Sequence, residues 1–186
     1  EVIGYVSSDP LEEVSGLAAA QRNPDVLWTH NDDDPFLGPI NEIHAINTLG
    51  ALVGTFTLDG AAHFDYEDVA VGRGPVPGVS YIYVADTGDS HAVRSEGVQI
   101  YRVPEPLVDA FGGDQSGVLT GVDTISVTYP DGPRDAETLL VDPFSGDLYV
   151  ITKRDAKNRV YRAPAPGPGD QTATLEFMGE MGWREA

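Results

Sequence analysis

The chain has 186 residues, enough for one domain with a substantial core, and it contains no cysteine, which excludes disulfides, zinc ribbons and thiol nucleophiles. Its 30 acidic and 11 basic side chains give a formal net charge of −19, which disfavours binding to a nucleic-acid backbone. No apolar run approaches the roughly 20 residues that a membrane-spanning helix needs.

Short runs rich in β-branched and aromatic residues dominate the chain, and no helical periodicity persists between glycines and prolines. Turn sequences such as Asp59-Gly60 and Asp131-Gly132-Pro133 separate these runs. The pattern predicts an all-β protein. The predicted strands are residues 2–6, 15–19, 26–29, 42–47, 52–58, 68–71, 81–85, 98–103, 124–129, 138–141, 148–152, 159–162 and 174–178.

These strands form a repeating four-stranded unit. Ser15, Glu67 and Glu137 hold equivalent positions in the opening strands, at spacings of 52 and 70 residues. The three units cover approximately residues 15–58, 67–129 and 137–178, and residues 1–6 read as the fourth strand of a preceding unit. A glycine-rich insertion at residues 109–121 is predicted to be a surface loop. The tail at residues 183–186 resembles the start of another unit.

Four-stranded units of this length are typical of β-propeller blades. We therefore predict one β-propeller domain over residues 1–186, with about three blades present. A β-sandwich is the alternative, because short strands with regular turns also suit that fold. Since propellers close with about four to eight blades, three blades make a partial ring or half of a two-chain, six-bladed ring. We expect association with a second copy of the chain, because an open arc exposes strand edges.

Acidic residues recur where the opening strands begin. In a propeller these positions converge at one end of the central channel, where several carboxylates repel one another or recruit a cation. Ca²⁺ suits this chemistry, since it accepts about six to eight oxygen ligands in irregular geometry. Glu67 and Glu137 are the first candidate ligands, followed by Asp68 and Glu13. Alternatively, these carboxylates accept backbone N–H groups at strand junctions.

A second set of polar residues follows the second strand of each unit, at the same predicted end. The set comprises His30, Asn31, Asp32, Asp86, Asp89, Lys153 and Arg154. His30, Asp32 and Asp86 are candidate general bases, and Asn31 and Asp89 are further candidate metal ligands. Lys153 and Arg154 are available to an anionic group. A lone histidine near a strand end is more often a structural hydrogen-bonding group, which leaves both interpretations of His30 open.

Several motifs resemble a known group of proteins. They are Ser15-Gly16-Leu17-Ala18, Trp28-Thr29-His30-Asn31-Asp32, Tyr66-Glu67-Asp68-Val69-Ala70-Val71, Tyr83-Val84-Ala85-Asp86-Thr87-Gly88-Asp89 and Asp135-Ala136-Glu137-Thr138-Leu139. Together they resemble bacterial, largely exported six-bladed propellers related to the NHL-repeat, SdiA-regulated and phytase-like or esterase-like groups. The resemblance implies an extracellular or periplasmic location. The relatives it points to are about twice as long as this chain.

Within that resemblance, calcium-dependent lactonases and phosphoesterases of propeller type place acidic and amide ligands at the channel mouth. Glu67, Glu137 and Asn31 match those ligands by position. The expected function is an acidic propeller, stabilised by calcium, that serves as a binding or scaffold module. The alternative is a calcium-dependent hydrolase of lactones, esters or phosphate esters with its site at the channel mouth.

Overall fold

The computed structural model describes residues 5–6, 10–32 and 41–182. Within these ranges the chain forms fourteen β-strands and no helix, so the predicted all-β class is confirmed. Accordingly, the described part contains no helix that is long and apolar enough to span a membrane. The predicted strand at residues 2–6 lies mainly outside the described residues, and the tail at residues 183–186 lies entirely outside them.

The strands form three sheets. Sheet 1 has the order β1-β2-β3-β4-β8, sheet 2 the order β13-β9-β7-β6-β5, and sheet 3 the order β10-β11-β12-β14. Each sheet contains a four-stranded antiparallel meander. The strands are β1 Val14–Ala19, β2 Val26–Asn31, β3 Glu42–Asn47, β4 Leu52–Leu58, β5 Tyr66–Arg73, β6 Ser80–Asp86, β7 Val98–Pro104, β8 Gly117–Leu119, β9 Asp123–Thr128, β10 Ala136–Val141, β11 Leu148–Thr152, β12 Asn158–Ala163, β13 Gln171–Thr174 and β14 Glu176–Met181.

Two predicted segments differ from the structure. The insertion at residues 109–121 is not only a loop, because it contains β8, which pairs in parallel with β4. The single strand predicted at residues 174–178 is two strands, β13 on sheet 2 and β14 on sheet 3. Leu175 separates them: its side chain is buried, and its N–H donates to the carbonyl of Thr128 at 2.8 Å. The chain therefore changes sheets at this residue.

Sheet 2 lies between the other two sheets and supplies side chains to two apolar cores. The core shared with sheet 1 includes Trp28, Phe56 and Tyr66, and the core shared with sheet 3 includes Tyr83 and Tyr161. Alternation along each strand sends successive side chains to opposite faces, so the central sheet is apolar on both. This stacking places the opening strands of the three sheets next to one another.

The opening strands β1, β5 and β10 lie side by side, and each carries a one-residue bulge at the equivalent position. In β5 and β10 the extra residues are Glu67 and Glu137, and in β1 the bulge falls at Ser15 and Gly16. A bulge redirects the side chain of the extra residue. The bulges thus place the side chains of Glu67 and Glu137 outside the regular alternation of the strands. Both lie at the same end of two adjacent strands.

Candidate metal centre

Three carboxylates from the second and third meanders converge at this end of the sheets. Glu67, Asp135 and Glu137 each offer an oxygen atom, and the three oxygens lie within 4.8 Å of one another. Asp135 is buried, whereas the two glutamates are partly exposed. The sequence predicted Glu67 and Glu137 as ligands but did not select Asp135. The repeated Asp-x-Glu at Asp65 to Glu67 and Asp135 to Glu137 is the signal that could have identified it.

Burial and charge repulsion in this cluster act on Glu67. Burial, followed by repulsion from Glu137 and Asp65, raises the pKa of Glu67 to about 8. Gly88 approaches the same group closely, since a Cβ atom at that position would lie 2.5 Å from Glu67 Oε1 and would also meet Asp65. Glu67 is therefore mostly protonated at neutral pH, and a cation binding here would have to displace that proton.

Two basic side chains lie at the rim of the cluster. Lys153 Nζ is 2.6 Å from Glu137 Oε1, and Arg154 Nε is 2.5 Å from Asp135 Oδ2. Both basic side chains are more than half exposed. The sequence left both side chains available to an anionic group, and in the structure they pair with two carboxylates of the cluster. Among the described residues, Glu67 forms no such ion pair, so its carboxylate, once deprotonated, is the one that a cation would neutralise most directly.

Asp68 is a strand-junction group, which is the alternative interpretation of these carboxylates. Its Oδ1 accepts the N–H of Val69 at 2.9 Å, and its Oδ2 accepts the N–H of Leu139 at 2.7 Å. Burial raises the pKa of Asp68, although both N–H groups act in the opposite direction. The side chain joins β5 to β10 immediately beside the two bulges. Asp68 thereby sets the relative position of Glu67 and Glu137.

His30 is engaged through both ring nitrogens. Nε2 accepts the N–H of Gly16 at 3.1 Å, and Nδ1 lies 2.8 Å from the carbonyl of Asn31, to which it donates in the matching neutral tautomer. Burial lowers the pKa of His30 and favours this neutral form. These contacts support the structural interpretation of His30 and leave no ring nitrogen for a substrate proton.

Asp86 and Asp89 organise the loop after β6. Asp86 is 1% exposed, pairs with Arg94 at 2.9 Å and accepts the backbone N–H groups of Phe64 and Asp65. Both oxygens of Asp89 accept backbone N–H groups farther along the loop. The N–H of Asp89 donates to Asp135 Oδ1 at 2.8 Å. Asp89 therefore orients a carboxylate of the cluster through its backbone.

The remaining predicted residues belong to the first meander. The carbonyl of Glu13 accepts the N–H of Asp32 at 2.7 Å, while the Glu13 side chain is exposed. Asn31 donates to the carbonyl of Pro10 at 2.6 Å, and its buried Oδ1 has no hydrogen-bond partner among the described residues. Repulsion from Asp32 adds to the raised pKa of Glu67. The first meander thus contributes negative charge to the cluster.

A scan against protein-family models and a search of the curated proteins found no significant match to this chain. The centre is therefore interpreted from its own chemistry. Three carboxylate oxygens, one of them buried, form a hard-oxygen donor set of the kind that Ca²⁺ prefers. The donor set fits a divalent cation, and the partial exposure of both glutamates gives water access to the site.

The raised pKa of Glu67 predicts a specific dependence of stability on pH. The pKa rises from 4.5 to about 8 on folding, so the unfolded chain ionises first and stability falls between these values as pH increases. Relative to a Glu67→Gln variant in chelator, we expect the wild type to lose about 1–2 kcal/mol over this range, after allowing for solvent screening. Urea unfolding at a series of pH values measures the difference.

The matched control for this experiment is Glu96→Gln, which removes one charge from an exposed glutamate outside the cluster. The Glu96→Gln curve should run parallel to that of the wild type. If the Glu67→Gln and wild-type curves were also parallel between pH 4.5 and 8, Glu67 would not hold its proton in the folded protein.

Proposed function

We propose that this chain is part of an exported β-propeller whose central carboxylates bind Ca²⁺, and that the ion stabilises a binding or scaffold module. The observation that carries the proposal is the convergence of Glu67, Asp135 and Glu137, which come from two different meanders. An ion shared between meanders would hold the opening strands together at the end where their charges repel.

The arrangement of the sheets supports the propeller part of this proposal. Three successive four-stranded meanders stack face to face, and their opening strands β1, β5 and β10 are adjacent. This is the order expected where the first strand of each blade lies nearest a central axis. The exported location and the likeness to NHL-repeat, SdiA-regulated and phytase-like propellers rest on the motifs quoted above, and belong to the same proposal.

Calcium titration of the whole chain at pH 8.5 tests the cation site, because Glu67 is then mainly ionised. Calorimetry should detect one ion, and at a calcium concentration one hundred times Kd the free energy of unfolding should rise by about 2.7 kcal/mol. Affinity should fall as the pH is lowered through about 8, since protons then compete for Glu67.

Glu67→Gln and Glu137→Gln should each abolish the calcium effect, whereas the Glu96→Gln control should retain it. A chain whose melting temperature is the same with calcium and with chelator at pH 8.5 would contradict the proposal. An equal calcium effect in the wild type and in Glu67→Gln would place the ion elsewhere.

The hydrolase alternative requires a general base beside the ion. Of the three candidates, Asp32 is the one whose charge is among the causes of the raised pKa of Glu67. The alternative therefore depends on Asp32. Calcium-dependent turnover of a lactone, ester or phosphate ester that is lost in Asp32→Asn, with calcium binding retained, would support it over the scaffold function.

A further inference from the structure

Two of the three meanders receive an additional strand from the meander that follows them in the chain. β8 pairs in parallel with β4, the outer strand of the first meander, and β13 pairs in parallel with β9, the outer strand of the second. In each case the added strand lies in the connection between the third and fourth strands of the next meander. The same strand addition therefore occurs twice: each time the following meander adds a parallel strand from its third-to-fourth connection.

Backbone hydrogen bonds fix both added strands beyond their ladders. The N–H of Gln115 donates to the carbonyl of Val53 at 3.0 Å, and the N–H of Asp59 donates to the carbonyl of Leu119 at 3.0 Å. On the second sheet, the N–H of Leu175 donates to the carbonyl of Thr128 at 2.8 Å, and Oδ1 of the Asp170 side chain accepts the N–H of Thr124 at 2.8 Å. These bonds satisfy outer-edge groups that would otherwise face solvent.

The outer strand of the third meander, β14, has no such partner within the described part of the chain. Two of its apolar side chains are exposed: Met178 by 52% and Met181 by 41%. By contrast, Ile125 and Val127 on β9 are at most 1% exposed. The edge of β14 thus carries apolar residues of the kind that the other outer strands bury.

The outward face of sheet 3 carries a row of residues equivalent to a row that is buried on sheet 2. Strand register aligns Ala70, Tyr83, Arg102 and Asp123 across sheet 2, and Leu140, Tyr149, Arg162 and Glu176 across sheet 3. In both rows the arginine pairs with the acidic residue of the outer strand. Tyr83 and Arg102 are 0% exposed, whereas Leu140 is 52% exposed and Tyr149 is partly exposed.

The two rows differ in exposure because the following meander covers the row on sheet 2. Arg102 donates to the carbonyls of Pro166 and Gly167 at 3.0 and 2.7 Å, and both carbonyls belong to the connection that leads into β13. The third-to-fourth connection of the next meander therefore covers the arginine and then supplies the added strand. Arg162 occupies the equivalent position on sheet 3, and among the described residues its guanidinium donates hydrogen bonds only to Asp147 and Glu176.

We propose that the outward face of sheet 3 and the outer edge of β14 form one docking surface for a further four-stranded meander. The third-to-fourth connection of that meander would cover Arg162 with backbone carbonyls and run parallel to β14. Its sheet would cover Leu140 and Tyr149. The surface continues the packing seen between sheets 1 and 2 and between sheets 2 and 3. It does not depend on the cation site.

The occupant is a meander with a long third-to-fourth connection, and the first meander of a second copy does not meet this requirement. In the first meander, β3 ends at Asn47 and β4 begins at Leu52. The intervening turn is closed by the bond from Asn47 N–H to the carbonyl of Ala51 at 2.9 Å. That turn has no residues left to form an edge strand. A second copy docking by its first meander would leave β14 uncovered.

Extended chains test the proposal directly. One chain carries a second copy of residues 138–182 after residue 186, and its matched control carries a copy of residues 16–58, the meander with the tight turn. Hydrogen exchange is measured over β14 in chelator. We expect exchange in β14 to slow about tenfold or more in the first chain and to match the parent in the control. Equal exchange in the two extended chains would overturn the proposal.

Two further measurements cover the remaining outcomes. If the added unit does not fold, a peptide of residues 164–175 is titrated into the parent chain, where it should slow exchange in β14 in a concentration-dependent way. A scrambled peptide is the control, and an equal effect of both peptides would overturn the proposal. Sedimentation of the parent chain tests self-association: a dimer whose β14 amides are protected would identify a second copy as the occupant and would also overturn it.

Discussion

Replacing Glu105 by alanine is expected to lower the free energy of unfolding by about 3–5 kcal/mol, because it leaves several buried donors unpaired. Glu105 is 0% exposed and lies just after β7. Its carboxylate accepts five hydrogen bonds, at 2.5 to 3.3 Å. The donors are Gln21 N–H, Arg22 N–H, Asn23 Nδ2, Trp28 Nε1 and Ser80 Oγ.

Most of these donors belong to the first meander, so Glu105 joins sheet 1 to sheet 2 at the end remote from the metal centre. Glu105→Gln retains one acceptor oxygen and should cost less than Glu105→Ala. Glu176→Gln, at an exposed ion pair, is the control and should have little effect. Urea unfolding measures all three variants. A Glu105→Ala protein with the wild-type midpoint would show that the five bonds add no net stability.

Arg102→Met is expected to lower the free energy of unfolding by about 3 kcal/mol, since it leaves the Asp123 carboxylate and two partly buried carbonyls without their donor. The Arg102 guanidinium is 0% exposed, donates to Asp123 at 2.6 Å and to the carbonyls of Pro166 and Gly167, and lies over the ring of Tyr81. Methionine fills part of the space but supplies no donor. The connection into β13 should therefore detach before the rest of the chain unfolds.

The equivalent substitution on sheet 3, Arg162→Met, is the matched control. Arg162 has the same register position but is partly exposed, so its replacement should cost much less. Urea unfolding gives the stability change, and hydrogen exchange over residues 164–175 reports the local detachment. Equal losses in the two variants would mean that burial by the following meander does not strengthen the Arg102 interactions.

The sequence was sufficient for the class of the fold and for the position of most strands. Periodicity of two and turn residues are local signals, so strands such as β3, β4 and β11 were predicted at their observed bounds. The spacing of aligned residues also paired Glu67 with Glu137. No comparable local signal marks β8 or β13, which are only 3 and 4 residues long and pair with distant strands.

Tertiary structure decided which acidic residues form the centre and which have structural roles. The bulges, the contact of β5 with β10 and the backbone N–H of Asp89 bring Asp135 to the two glutamates. The same packing assigns Asp68 to backbone groups on two strands. The sequence by itself determined the all-β pattern and the equivalence of Glu67 and Glu137, because these depend on local spacing. The partners of each carboxylate depend on contacts between distant strands, and only the folded chain decides those.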